Sequence, residues 1–161
     1  MAYLLDANVF IQAKNLHYGF DFCPAFWDWL DVAHADGRVL SVERVGTEML
    51  GRGDDLSTWA AARPSLFLAP DGAVLPSLRT VGQWAAGSGY QPAAIPVFLD
   101  GADYFLVAHA LAHTQTIVTH ERPSSSPKQI KIPDACIALG VKCLTPFEML
   151  RLEGARFVLS P

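Results

Sequence analysis

Residues 3–13 read YLLDANVFIQA, and the fold turns on how this stretch is parsed. The apolar run Tyr3-Leu4-Leu5 is too short for a helix and is closed by Asp6 and Asn8, which predicts a buried central strand followed by a turn. Asp6 then stands at the carboxyl end of that strand. An acid in that place costs free energy unless something pairs with it, so it is the first residue to ask a function of.

Working outward, Pro24 opens and Gly37 closes residues 25–36, whose apolar positions Phe26, Trp27, Leu30 and Ala33 recur at helical steps. Residues 38–41 predict a second strand, and residues 42–50, carrying Glu43 and Glu48, a helix that stops at Gly51-Arg52-Gly53. Residues 54–89 alternate a helical piece at 56–62, an apolar Leu66-Phe67-Leu68 and a second helical piece at 78–86, punctuated by Pro64, Pro70 and Pro76. After Pro92 and Pro96, residues 100–113 predict one helix with Asp103 in its first turns, followed by a strand at 116–119 and then Glu121. Residues 122–131, RPSSSPKQIK, predict an exposed and mobile loop. A short helix at 133–139, a strand at 141–144 and a last helix at 146–152 complete the pattern. Strands alternating with helices imply an α/β fold with a parallel sheet covered on both faces, and ligands in such sheets sit at the carboxyl ends of the strands.

Composition agrees with that outline. Of 161 residues, 51% are hydrophobic and 17% charged, enough for one sizeable core, so residues 1–161 are expected to form a single domain. A formal charge of −4 argues against a protein that coats nucleic acid by charge alone. Cys23, Cys136 and Cys143 form no CxxC pair, which suggests neither a disulfide framework nor a zinc ribbon, and they read as core thiols in a reducing compartment. Asp6 and Asn8 interrupt what would be a signal peptide's apolar stretch, and no uncharged run reaches the ~18 residues of a membrane span. The expected location is the cytoplasm.

Asp6 and Glu121 fall at strand ends, and Asp103 begins the helix that leads into the strand ending beside Glu121. If these acids converge, they repel one another unless a cation holds them, and all-oxygen ligands suit Mg²⁺ or Mn²⁺. A cation there acidifies water and neutralises charge on an attacked phosphate, which favours phosphodiester hydrolysis. Each acid also has a plainer reading: Asp103 as a favourable charge at a helix start, Glu48 as a solvated helix residue, Glu121 as a loop residue.

The opening block, the segment DYFLVAHA from Asp103 and the strand ending IVTHE resemble the blocks of PIN-domain nucleases. Residues 131–151, KIPDACIALGVKCLTPFEMLR, together with the opening, are similar more narrowly to a PIN-like prokaryotic group labelled only as a domain of unknown function, of the DUF4411 type. The resemblance implies a three-layer α/β domain, a central, mainly parallel sheet flanked by helices, and a Mg²⁺- or Mn²⁺-dependent endoribonuclease. By that resemblance Asp6 matches the first acid and Asn8 the small polar residue that steadies it. Glu48 matches the second acid, with Glu43 as rival; Asp103 matches the third, with Asp100 three residues away; Thr119 matches the hydroxyl residue after the fourth strand. Glu121 stands where many members have aspartate, one methylene shorter. Many PIN proteins are toxins of toxin–antitoxin pairs, so an antitoxin partner is implied beside the RNA substrate; a non-catalytic PIN-like module that binds RNA or a protein is the rival.

Other signals are weaker. His109 and His113 lie one helical turn apart, but Ala110 follows the first where a zinc protease needs its glutamate, so both read as helix-surface or core-edge residues. His120, beside Glu121, reads as a loop histidine. Trp27 falls on the apolar face of its helix, whereas Trp29 faces another side, open to solvent or to an oligomer contact such as a homodimer. Lys14, Arg52, Arg122, Lys128 and Lys131 are the cations expected near the strand ends, where they would guide a phosphate backbone, or else serve as ordinary solvated charges.

Overall fold

In the computed structural model, which describes residues 2–160, β1 (Tyr3–Leu5) forms the centre of a five-stranded sheet. Its partners are β2 (Val39–Val42) and β4 (Thr116–Val118); β3 (Phe67–Leu68) extends the sheet beyond β2, and β5 (Cys143–Leu144) extends it beyond β4. All four pairings are parallel, with Leu4 opposite Leu40 and Ile117, and Ile117 opposite Cys143. Alternate strand residues point to opposite faces, yet every residue of β1 and β4 is buried. Both faces of the central strands are therefore covered, as the near-continuous apolar runs require. The chain steps outward from β1 in both directions, so the sheet reverses its winding between β1 and β4, and this crevice is where a parallel sheet presents its ligand site.

β1 passes directly into α1 (Ala7–Gln12), which continues as one wide turn over Ala13–His17. The sequence predicts only a turn here. Ala7, Val9, Phe10 and Ala13 are all buried, so this first helix has little polar face and its period is hidden inside one long apolar run. The carbonyl of Leu5, left where the strand ends, accepts a 2.6 Å hydrogen bond from the buried Ser41 hydroxyl of β2.

α2 (Pro24–Ala35) starts on its proline and buries Phe26, Trp27, Leu30 and Ala33, with left-handed Gly37 (φ 74°) turning the chain into β2. α3 (Glu43–Leu50) and α4 (Asp55–Ala61) follow, the latter opened by a reciprocal cap between Asp54 and Ser57. α5 (Val74–Gly87) begins four residues earlier than the spacing suggests, because Pro76 lies in its first turn, where a missing N–H costs nothing. The same misreading hides α6 (Ala94–Asp100), whose first turn contains Pro96. The expected helix 100–113 is in fact the end of α6 and then α7 (Ala102–His113), separated by extended Gly101 and bent by 67°. Among the described residues no single helix is long and apolar enough to cross a membrane.

α8 (Ile132–Leu139) and α9 (Pro146–Leu152) flank β5. The 122–131 loop is mostly exposed, as its composition implies, yet it is fastened: Ser124 N–H donates to the Asp134 carboxylate, Gln91 N–H donates to Pro127 O at 2.9 Å, and Ile130 is buried.

Gly46 of α3 allows the close approach that seats β3: a Cβ there would meet Phe67 Cγ at 2.8 Å, and that ring also packs on Phe10. Gly46→Ala gains up to about 1 kcal/mol of helix propensity but overpacks the core by about 1–3 kcal/mol. The expected net outcome is a lower melting temperature on thermal unfolding; a higher one would mean that Phe67 yields freely.

Candidate active site

The carboxyl ends of β1 and β4 carry the polar centre of the molecule. Asp6 leaves β1 with its backbone N–H on Val118 O at 3.0 Å, so the two strands remain paired up to the acid. Its carboxylate is buried. Thr119, one residue beyond β4, donates its hydroxyl to Asp6 Oδ2 at 2.8 Å. The same Thr119 oxygen accepts from Asn8 Nδ2 at 3.2 Å and from the Glu121 N–H at 3.1 Å. Asn8 Oδ1 in turn accepts the His120 N–H at 3.1 Å. Asn8 and Thr119 thus lock the two strand ends together around one carboxylate.

Three more acids interact with it electrostatically. Burial pushes the Asp6 carboxyl up to about 6, the charges of Glu121 and Glu48 adding to the rise and the Thr119 and Ala7 hydrogen bonds opposing it. Asp103, in the first turn of α7, is pushed up to about 7 by burial and then by the charges of Asp6, Glu121 and Glu48; Lys131 opposes the rise. Glu48, exposed on α3, therefore bears on both buried acids, whereas the charge of Glu43 falls on His109. Asp100 ends α6 on the far side of the 67° bend, with its carbonyl 3.5 Å from the Arg44 guanidinium.

Glu121 belongs to the same electrostatic group but is turned another way. Its Oε2 accepts the Ile132 N–H at 2.7 Å, at the start of α8, and its Oε1 lies 3.9 Å from Lys131 Nζ. The extra methylene relative to aspartate supplies the reach to that helix terminus, whose unpaired N–H groups favour an anion. As they stand, no three His, Cys, Asp or Glu side chains among the described residues meet in a metal-ligating arrangement. What fits a hard divalent cation is the donor chemistry: carboxylates whose charges bear on one another, two of them buried and kept protonated toward neutral pH by burial first and by the neighbouring acids second. The acids open onto two hollows. One of about 160 Å³ lies between Asp103, α6 and Lys128; the other, of about 260 Å³, is lined by Glu121, Thr119, Arg122 and Glu148.

Of the cations singled out in the sequence, Lys14 and Arg52 are both committed to Asp54, at 2.8 and 3.2 Å, and they hold that carboxyl far below its usual range. Arg122 and Lys128 are exposed on the loop, and Lys131 acts on the acids themselves. Sequence reasoning missed an aromatic cluster beside the site, in which the His120 ring lies 5.5 Å from His17 and 5.7 Å from Phe147; the three come from distant segments, and no local pattern announces them. His109 is a core residue rather than a core-edge one, 1% exposed with both ring nitrogens unpartnered, and burial holds its pKa below the ordinary value. His113 pairs with Asp71 at 2.8 Å.

Residues 3–157 match the sequence profile of a family described as a domain of unknown function, DUF4411. The chain belongs to that family. Among solved structures, the DUF4411 chain is similar to the crystal structure of VapBC2 from Rickettsia felis bound to a DNA fragment from their promoter, with 14% identity and a TM-score of 0.54 over 89% of this chain and 97% of that one. At that identity the likeness is one of fold, and it agrees with the PIN-like three-layer α/β arrangement of this DUF4411 protein. No curated protein matches the sequence significantly.

The acid cluster has a thermodynamic signature. A carboxyl raised from 3.8 to about 6 in the folded state binds protons that the unfolded chain has already released. Its contribution is complete below pH 3.8 and is lost as pH rises through about 6, and for Asp103 through about 7. For Asp6 the loss is about 3 kcal/mol; Asp103 adds less than its own full displacement because the two share their repulsion. Between pH 4 and 8 the metal-free protein is expected to lose stability from this source. Asp6→Asn should flatten the decline, and millimolar Mn²⁺ should reverse it at pH 8. Thermal unfolding across that range checks this, and an identical profile in wild type and variant would remove the cluster's uncompensated charge from the account.

Proposed function

We propose that this chain is a Mg²⁺- or Mn²⁺-dependent endoribonuclease of PIN-like type that hydrolyses RNA phosphodiester bonds, and that it acts as the toxin of a toxin–antitoxin pair. The observation that carries the reading is the convergence of charge from Asp6, Glu48, Asp103 and Glu121 at the crevice between β1 and β4. Asp6 and Asp103 would hold the ion, with Glu48 and Glu121 completing its surroundings directly or through water. The chemistry such a cation supplies is neutralisation of phosphate charge and acidification of water. Thr119 and Asn8 fix the Asp6 carboxylate in orientation, so that its oxygens are presented without reorganisation. Lys131, beside Glu121, offers a cation to the phosphate once the acids are otherwise neutralised, and Arg122 and Lys128 extend that positive edge along the loop. Lys14, held by Asp54, is a weaker contributor to RNA contact than its place in the sequence suggests. The antitoxin assignment rests on the family resemblance and on the likeness to the VapBC2 complex.

A non-catalytic module that binds RNA or a protein is the reading favoured by one observation, the engagement of Glu121 by the Ile132 N–H and Lys131. Cleavage of a mixed RNA pool separates the two. Wild type with Mn²⁺ or Mg²⁺ is expected to cut, EDTA to abolish cutting, and Asp6→Asn to lower the rate by at least about 10²-fold while remaining folded, since the several kcal/mol contributed by the ion depend on that carboxylate. Thr119→Val, which keeps the shape but loses the bond to Asp6, should weaken apparent metal affinity by about 10–100-fold. RNA retained by folded protein in EDTA, with no cleavage in any condition, would instead support the module.

A further inference from the structure

Two thiols stand at the back of the hollow that Glu121 opens onto. Cys136 lies in α8, buried, and Gly140 ends that helix in the left-handed region (φ 72°), so that the chain doubles back and β5 runs beside it. Val141 N–H tightens the reversal by donating to Cys136 O at 2.9 Å. The result brings Cys143, in β5, beside Cys136, and both side chains face the same small cavity. Both line the cavity of about 260 Å³ together with Glu121 and Thr119, so a small polar oxidant can reach them from solvent. Cys23, the third free cysteine, precedes α2 and does not line this cavity.

We propose that Cys136 and Cys143 form a redox-active pair that reacts with a peroxide to close an intramolecular disulfide in the wall of the Glu121 cavity. Cys143 is the more exposed of the two and meets the oxidant first. The neighbouring Cys136 thiol holds Cys143 below its ordinary pKa, against burial and the nearby Glu121, while Cys143 and burial push Cys136 up. The Cys143 sulfur attacks the peroxide: an S–O bond forms, the O–O bond breaks, and water leaves with the thiol proton. The Cys136 sulfur then attacks the resulting sulfenic acid; the S–S bond forms, the S–O bond breaks, and a second water leaves. Two thiols and one hydrogen peroxide thus give one disulfide and two waters, the thiols losing the two electrons that the peroxide gains. A disulfide needs a Cα separation of about 4.4–6.8 Å, and the tight reversal at Gly140 sets the two residues on adjoining walls of one small cavity. The link would fasten α8 to β5. The first N–H of α8 is the donor that holds Glu121, one helical turn before Cys136, so oxidation acts on the acid cluster through one short helix.

The test uses the full chain, reduced, freed of reductant and treated with a small excess of hydrogen peroxide, then blocked with N-ethylmaleimide and examined by intact mass and peptide mapping. The expected result is the loss of two hydrogens, a peptide joining Cys136 to Cys143, a single blocked thiol at Cys23, and full reversal by dithiothreitol. Cys136→Ser should accumulate a dimedone-trappable sulfenic acid at Cys143, and Cys143→Ser should form no internal link. Sulfinic acid without a link in wild type, or a link through Cys23, would overturn the proposal. These readouts do not depend on nuclease activity, so a protein that forms the disulfide but cuts no RNA would discredit only the functional reading above.

Discussion

A carboxylate buried at the end of the central strand is the constraint around which this molecule is organised. Asp6 follows three fully enclosed residues, and desolvation there would keep it neutral were nothing else supplied. The protein supplies a threonine hydroxyl from the adjacent strand end, orients that hydroxyl with an asparagine amide and a backbone N–H, and then adds three further acids. The first group of contacts lowers the cost of charge at Asp6 and the second raises it. A fold selected for stability alone has no use for both, and that opposition is what supports the cation site proposed above.

The sheet and most of its helices are legible in the sequence because their apolar runs are short, well bounded and of clean period. α2 announces itself through Pro24, Gly37 and four buried residues at helical steps. What is not legible follows from two physical causes. α1 is apolar on most sides, so it shows no amphipathic period. Pro76 and Pro96 look like breaks, but each lies in a first helical turn that needs no N–H, and the break between α6 and α7 falls instead at Gly101, which a period count passes over. In the site, Asp6 stands out because it closes a buried strand, whereas Asn8 and Thr119 are picked out by the resemblance. Lys131 is expected near the strand ends as a guide for phosphate, but that its charge reaches Asp103 is not legible, because nothing local ties its loop to the first turn of α7.

Glu121 shows how a one-methylene change redistributes work. The longer side chain reaches past the acid centre to the first N–H of α8, and Asp134 of the same helix reaches back to Ser124. Two carboxylates therefore cross the base of the 122–131 loop in opposite directions. The segment is held at its root while Arg122 and Lys128 stay exposed. Glu121 is thus the acid that joins the cluster to the loop.

The shared clasp of Lys14 and Arg52 on Asp54 has a consequence for ionic strength. A cation already neutralised within the protein releases no condensed counterion when a polyanion arrives, and each phosphate contact to a single strand contributes about 0.7 to the logarithmic salt slope. On the function proposed above, an RNA strand at this face would meet Arg122 and Lys128, joined by Lys131 once a cation neutralises the acids, for a slope of about −2 on a background charge of −4. Between 50 and 200 mM salt such a slope would lower association by about 15-fold, well below the 10³–10⁵ of a protein making 6–10 phosphate contacts, so discrimination among RNAs would fall more to shape and base contacts than to charge.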